Sequence, residues 1–212
     1  MTNLFIFFQA MNDSVLSLLN STLDKSLSSP KDTDPKIKLL KSARTSLDKW
    51  KTSVALGKKH LDAIVSEKKK LLRKTASLGP EGFSFVLQSE ASELRDITAD
   101  LKERVDNLNR ARQKFEGFIE LDAISSPSSD TKASESSLPS TIDGKVLLDS
   151  LRTVCTAYEA QLELDLAVVE NVAFAASEEE LVFYTAAWIH QPSIDATCVS
   201  AESAIDFALE DF

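Results

Sequence analysis

Glycine and proline are scarce in this chain, with five glycines and six prolines among 212 residues. A turn-rich β-sandwich needs more of both residue types, so their scarcity favours helices. There are only two cysteines, Cys155 and Cys198, and they lie 43 positions apart without a CxxC spacing. This predicts neither a disulfide framework nor a zinc site, and it favours a reducing compartment inside the cell.

Long apolar runs are also missing. No run reaches the roughly 18 residues that a membrane span needs, so we expect no contact with a bilayer. The apolar run from Leu4 to Phe8 is short, lacks a basic flank and is followed by no small-residue cleavage site. We therefore expect no secretory signal, and Met11 is a second candidate for the initiator.

Motifs that carry catalysis are absent as well. The sequence contains no GxxxxGK[ST], GxGxxG, GxSxG or HExxH pattern, and its only histidines are His60 and His190. Acid pairs are frequent, but on helices at this spacing they are typical of solvated faces. His60 follows Lys58 and Lys59 and is expected at the surface. We therefore expect a protein that is not an enzyme and that needs no cofactor or metal.

Charge is distributed unevenly around the net value of −9. Residues 36–74 contain thirteen Lys or Arg and three acids, whereas residues 153–212 contain twelve acids and no Lys or Arg. The two segments are expected to attract each other or oppositely charged partners. The basic segment is either a solvated helix face or an anion-binding surface, and the acidic remainder limits nucleic-acid binding to a weak interaction at most.

Apolar residues recur at heptad spacing in two stretches on either side of Leu78-Gly79-Pro80-Glu81-Gly82. These positions are Leu40, Ala43, Leu47, Trp50, Val54, Leu61, Ile64 and Leu71 in the first stretch, and Leu87, Leu94, Ile97, Leu101, Leu108, Ala111, Phe115 and Phe118 in the second. Two long helices joined by a short loop pack antiparallel, so we predict a coiled-coil-like αα-hairpin over residues 36–121. Gly57 and Lys68 occupy seam positions and predict packing that is imperfect or adjusted to a partner, and Arg104 is a polar interruption of the second seam.

The remaining segments differ in composition. Residues 1–35 end in a cluster of turn-forming residues and are predicted to be a flexible N-terminal segment. Residues 122–143 are mostly polar and rich in serine, which predicts a disordered linker. Residues 144–212 are predicted to form an acidic unit of about three helices, so the fold class is all-α.

Three helices are predicted in this C-terminal unit. The first covers Val146–Val172, with Leu166 on its apolar side and Asp165 on its outer face. The second opens with Ser177-Glu178-Glu179-Glu180, which has the pattern of a capping box, and must end by Gln191 because a proline follows. The third covers roughly Thr197–Glu210.

The segment Leu181–Pro192 reads Leu-Val-Phe-Tyr-Thr-Ala-Ala-Trp-Ile-His-Gln-Pro. It resembles the C-terminal signature of the cyclin-dependent kinase 2-interacting protein family, which has an aromatic residue followed by Trp, an aliphatic residue, His, Gln and Pro. The order of the other segments fits this family too, over roughly residues 38–210.

The resemblance implies a nuclear adaptor without enzymatic activity. Its implied partners are cell-cycle and replication kinases at replication origins, proteins of checkpoint and DNA-damage signalling, and the subunits of an AAA ATPase complex that acts on replication proteins and on ribosome maturation. Two alternatives rest on the residues alone, namely a generic coiled-coil tether and a helical hairpin that binds nucleic acid weakly. The basic first helix and the acidic C-terminal region depart from the family pattern.

Five residues are candidates for protein binding. One hypothesis places Trp188, with Tyr184 and His190 at helical spacing around it, as the anchor for another subunit, because Trp and Tyr dominate interface hot spots. The other places Trp188 in the core of the C-terminal helices, with His190 and Pro192 as the end of its helix. Trp50 on the first helix is the fifth candidate.

Overall fold

The computed structural model of the chain describes residues 34–75, 84–125 and 143–210. All of the secondary structure in these ranges is helical, which confirms the predicted all-α class. The α-helices within the described residues are α1 Pro35–Thr75, α2 Phe85–Ser125, α3 Gly144–Asn171, α4 Glu178–His190 and α5 Ala196–Glu210, and a 3₁₀ turn, Val172–Phe174, follows α3.

Helices α1 and α2 form the predicted antiparallel hairpin. Each has 41 residues, which corresponds to a length of about 60 Å. Where α2 begins, Ser84 donates a hydrogen bond to Glu67 of late α1 at 3.1 Å, and at the opposite end of the hairpin Lys36 forms an ion pair with Asp122. The end of α1 thus lies beside the start of α2, and the start of α1 lies beside the end of α2. This is the pattern of an antiparallel pair.

The seam of the hairpin follows the predicted heptads. The buried apolar residues at predicted positions are Leu40, Ala43, Leu47, Trp50, Leu61, Ile64, Leu87, Leu94, Ile97, Leu101, Leu108, Ala111 and Phe115. Val54, Leu71 and Phe118 are only half-buried. The prediction that His60 lies at the surface is wrong, because its Nδ1 is 2.8 Å from Oε2 of Glu90 across the hairpin and its side chain is largely covered.

Helix α3 packs along α2 and is covered by α4 and α5 as well. Asp143 caps its first turn by accepting a hydrogen bond from the N–H of Lys145 at 3.0 Å. The predicted faces of α3 are wrong at two adjacent positions: Asp165 is fully buried and Leu166 is 40% exposed. A helix with neighbours on several sides buries a wider face than one apolar stripe indicates.

Helix α4 begins and ends where the sequence predicts. Ser177 accepts a hydrogen bond from the N–H of Glu180 at 3.2 Å, and the Glu180 carboxylate accepts one from the N–H of Ala176 at 2.8 Å. The first bond is the one that a capping box predicts, whereas the Glu180 carboxylate reaches the N–H of Ala176, one residue before the expected N–H of Ser177. The helix stops at Gln191, which adopts the left-handed conformation with φ 45° and ψ 63°.

The acidic C-terminal helices lie against the basic helix α1. Arg44 pairs with Asp206 of α5 at 3.1 Å, Lys51 pairs with Glu202 of α5 at 2.9 Å, and Arg73 pairs with Glu178 of α4 at 3.5 Å. The attraction predicted from the charge distribution is thus present within the chain. Residues Pro35–Asp211 form one compact unit, so the hairpin and the C-terminal helices share a core.

The described ranges cover only some of the predicted segment boundaries. The predicted flexible segment 1–35 and the linker 122–143 lie almost entirely outside them. Where the ranges overlap, α1 starts at Pro35, and α2 continues to Ser125, past the predicted end of the hairpin at residue 121. The first helix predicted in the C-terminal unit begins at Gly144 rather than Val146, and the last begins at Ala196 rather than Thr197.

Candidate docking surface on helix α4

The indole of Trp188 packs directly onto Gly57 of α1. Trp188 has no exposed surface, and a Cβ placed on Gly57 would lie 2.2 Å from its Cζ2 atom. Its Nε1 donates a hydrogen bond to the backbone carbonyl of Val54 at 3.1 Å. The glycine that interrupts the predicted seam therefore provides the space in which α4 approaches the backbone of α1.

The second tryptophan holds the end of α4. Trp50 is fully buried and packs edge-to-face on Tyr158 of α3, with ring centroids 5.0 Å apart. Its Nε1 donates a hydrogen bond to Oε1 of Gln191 at 3.3 Å. Gln191 is the only non-glycine residue with positive φ in the described ranges, and its N–H donates to the carbonyl of Ala187 at 3.3 Å. Its side chain thus ties the helix terminus to α1.

A buried carboxylate joins three helices. Glu202 of α5 accepts a hydrogen bond from the hydroxyl of Tyr158 at 2.8 Å and from Nζ of Lys51 at 2.9 Å. Glu202 is 7% exposed. Burial raises the pKa of Tyr158 far above its ordinary value, and the negative charge of Glu202 raises it further. The tyrosine therefore stays neutral and serves as a hydrogen-bond donor.

Both cysteines are free and buried. Burial raises the pKa of Cys155 to about 11 and that of Cys198 to about 12. A thiol is nucleophilic only as its thiolate, so neither sulfur is activated in this fold.

A second buried carboxyl lies under the connection from α4 to α5. Oδ1 of Asp165 accepts a hydrogen bond from Gln161 at 2.9 Å, and the oxygen of Gln161 accepts one from the N–H of Ser193 at 3.2 Å. Oδ2 of Asp165 is buried without a hydrogen-bond partner. Burial raises the pKa of Asp165 to about 7, because ionisation in this site leaves a charge without water.

The outer side of α4 is apolar and open. Val182 is 60% exposed, Phe183 is 61% exposed and Ile189 is 39% exposed, whereas Leu181 and Trp188 on the inner side have no exposed surface. Phe183 contacts Tyr184 edge-to-face at 5.7 Å between centroids. Several large apolar side chains exposed on one short helix are typical of a protein-binding surface.

Some of the five predicted binding residues lie in the core and others lie at the surface. Trp50 and Trp188 are core residues of this chain, so neither is available to a partner in this conformation. Tyr184 is half-buried, and His190 and Pro192 are exposed at the end of the helix. Of the two hypotheses for Trp188, the structure agrees with the core position.

Other residues that matter here were missed by sequence reasoning. The exposure of Val182 and Phe183 was not predicted, although α4 is apolar nearly all round and only one side of so short a helix can be covered by the hairpin. The role of Gln191 was missed as well, since its partner Trp50 is 141 positions away. The only local signal was the position of Gln191 between the helix and Pro192.

Three further observations bear on the type of protein. No group of three or more potential metal-ligating side chains occurs within residues 34–75, 84–125 and 143–210. None of the helices in the described part of the chain combines the length and apolar character that crossing a bilayer requires. Comparison with protein-family models and with curated protein sequences finds no match to this chain.

Proposed function

We propose that the chain is a non-catalytic adaptor or complex subunit whose docking surface is the outer side of α4. The observation that carries the proposal is the pair Val182 and Phe183, each about 60% exposed on a helix that is fixed from its other side. A rigid helix with an apolar outer side loses little conformational entropy when a partner binds. More of the free energy gained by burying apolar surface therefore contributes to binding affinity.

The cellular role comes from the resemblance of the segment Leu181–Pro192 to the cyclin-dependent kinase 2-interacting protein family. We propose a nuclear protein that links cell-cycle kinases at replication origins with checkpoint and DNA-damage signalling. We further propose that it is a subunit of an AAA ATPase complex in replisome proteostasis and ribosome maturation. Two residues of the signature, Trp188 and Gln191, hold α4 in place, and this leaves its outer side for recognition.

The alternatives have less support. A tether that dimerises through its heptads needs a free seam, but the seams of α1 and α2 are buried against each other. A nucleic-acid-binding hairpin needs free cations, and ion pairs of Arg44, Lys51 and Arg73 with acids of α4 and α5 reduce the number that α1 can offer to phosphates.

The test is affinity purification of the tagged full chain from nuclear extract, followed by quantitative mass spectrometry. The double variant Val182→Ser and Phe183→Ser is expected to lose replication kinases or AAA ATPase subunits that the wild-type chain recovers. Val199→Ser is the matched control, because Val199 is 53% exposed on α5. Recovery of neither partner class by the wild-type chain, or undiminished recovery by the double variant, overturns the proposal.

A further inference from the structure

A groove of about 360 Å³ lies between the second half of α1 and the outer side of α4. Residues of α1 on its wall are Asp62, Val65 and Lys69, and residues of α4 include Val182, Ala186 and Ile189. The residues of α4 are spaced i, i+4 and i+7, so they lie along one side of the helix. Val65 gives the groove an apolar residue on the opposite wall.

The shape and lining of this groove fit a helix. Helix α4 runs alongside α1, since Glu178 at its start pairs with Arg73 and Trp188 near its end packs on Gly57. Two neighbouring helices, one of them with an apolar stripe, form the type of groove that accepts the apolar face of an amphipathic helix. A second open depression, about 690 Å³ between α3 and the start of α5, is lined mainly by Thr, Ser and Ala side chains and has no large apolar residue. It therefore offers no comparable anchor position.

The charges along the groove determine which charged residues a bound helix should carry beside its apolar stripe. Asp62 is neutralised by Lys58 at 3.3 Å, and Arg73 beyond the end of the groove is paired with Glu178. Lys69 lines the groove and forms no ion pair with any residue in the described ranges. The charge that remains for a partner is therefore positive and lies on the α1 side.

From this arrangement we propose that the groove binds an amphipathic helix of a partner protein whose apolar stripe is flanked, on the side facing α1, by Glu or Asp. The apolar stripe packs between Val65 and the row formed by Val182, Ala186 and Ile189, and a carboxylate pairs with Lys69. This deepens the proposed function and rests on it, since it specifies the chemistry of the partner at the same helix.

Fluorescence anisotropy with synthetic helical peptides tests the proposal on the full chain. One labelled peptide has leucines at i, i+4 and i+7 with glutamates beside them, a second has lysines in place of the glutamates, and a third has glutamines in place of the leucines. We expect the acidic peptide to bind about tenfold more tightly than the lysine peptide at low salt. The difference is expected to shrink as salt increases, and the glutamine peptide is expected not to bind.

Two variants test whether the peptides bind in the groove. Lys69→Glu is expected to reverse the preference between the acidic and lysine peptides, and Ala186→Glu, which places a charge in the apolar row, is expected to abolish binding of both. Lys49→Glu is the control, since Lys49 is an exposed cation of α1 outside the groove lining. Circular dichroism checks that each variant is folded. Absence of binding to the acidic peptide, or binding that Lys69→Glu and Ala186→Glu leave unchanged, overturns the inference.

The two experiments distinguish failure of the groove inference from failure of the proposed function. If the acidic peptide binds in the groove but no kinase or ATPase subunit is recovered from extract, the groove chemistry stands and the cellular role fails. If those partners are recovered through Val182 and Phe183 while no peptide binds, the adaptor role stands and the groove inference fails.

Discussion

Gly57 and Trp188 are in contact so close that any side chain at position 57 would overlap the indole ring, with 2.2 Å between the added Cβ and Cζ2. The two residues are 131 positions apart and join the hairpin to α4. This contact fixes the inner side of α4 and thereby determines which side is left for partners.

Gly57→Ala is predicted to destabilise the protein although alanine is the better helix former. The propensity gain is about 1 kcal/mol, but the overlap forces Trp188 out of its position, as overpacking of a core does at a cost of about 1–3 kcal/mol or more. Gly117→Ala is the matched control, because a Cβ at Gly117 of α2 meets no atom within 4 Å. Thermal unfolding is expected to give a lower Tm for Gly57→Ala and a slightly higher one for Gly117→Ala. A higher Tm for both contradicts the contact.

Trp188→Ala is predicted to lower stability by about 3–5 kcal/mol, since a fully buried tryptophan leaves a large cavity. For a chain of this size the expected decrease in Tm is on the order of 10 °C. Trp188→Phe keeps an aromatic ring in the core but loses the part of the indole that packs on Gly57 and the hydrogen bond to Val54, so a smaller decrease is expected. An unchanged Tm for Trp188→Ala would show that the indole is not part of the core.

Asp165 is predicted to make the protein less stable as the pH rises, whereas a carboxylate held in an ion pair makes a protein more stable as the pH rises. Its pKa is about 7 in the folded chain and 3.8 ordinarily, so between these values the folded chain keeps a proton that the unfolded chain releases. Stability from this group is therefore lost as the pH rises from about 4 to about 7, by roughly 1.4 kcal/mol per pH unit at most.

Asp165→Asn removes this titration and is expected to stabilise the protein at pH 8 and to change little at pH 4. Denaturant unfolding of variant and wild type across this range measures the difference. Glu163→Gln, at an exposed position of the same helix, is the control and is expected to show no such dependence. A constant difference between Asp165→Asn and wild type from pH 4 to pH 8 contradicts the prediction.

The Glu202 and Tyr158 pair is predicted to be energetically coupled. Glu202→Ala leaves a buried tyrosine hydroxyl without an acceptor, which costs about 1–3 kcal/mol. Tyr158→Phe removes the donor, so a double-mutant cycle is expected to give an interaction energy above about 0.5 kcal/mol. Lys51→Ala is expected to cost about 1 kcal/mol or more, because it leaves the buried Glu202 carboxylate without its cation although the Lys51 side chain is itself 53% exposed. Additive effects of Glu202→Ala and Tyr158→Phe would contradict the pairing.

Duplex DNA is predicted to bind weakly, with a dissociation constant above about 1 µM at physiological salt. Several cations of α1 are occupied by acids of α4 and α5, and the acidic helices repel phosphates. Titration monitored by anisotropy at two salt concentrations measures both affinity and salt dependence. Submicromolar binding at physiological salt would favour the nucleic-acid-binding alternative over the adaptor.

Local and periodic features of the fold were predictable from the sequence. The start of α4 follows from Ser177 and Glu180, its end from Pro192, and the hairpin seam from heptad spacing, since each depends on residues close in sequence. The partner of Gly57 was not predictable, because a glycine in a seam indicates a gap without indicating which distant side chain fills it. Asp165 was misassigned for the same reason: its partner Gln161 is bonded to the N–H of Ser193, which lies in the distant connection between α4 and α5.

The contacts of Trp50 and Trp188 also determine what the protein's intrinsic fluorescence reports. They are the only two tryptophans in the chain, and both indoles are buried where α4 meets α1, one bonded to Gln191 and the other to the carbonyl of Val54. Emission excited at the indole band therefore comes from this one interface. A red shift signals that α4 has separated from the hairpin, and an unchanged spectrum on addition of a partner signals that the partner has bound the outer side while the inner side stayed in place.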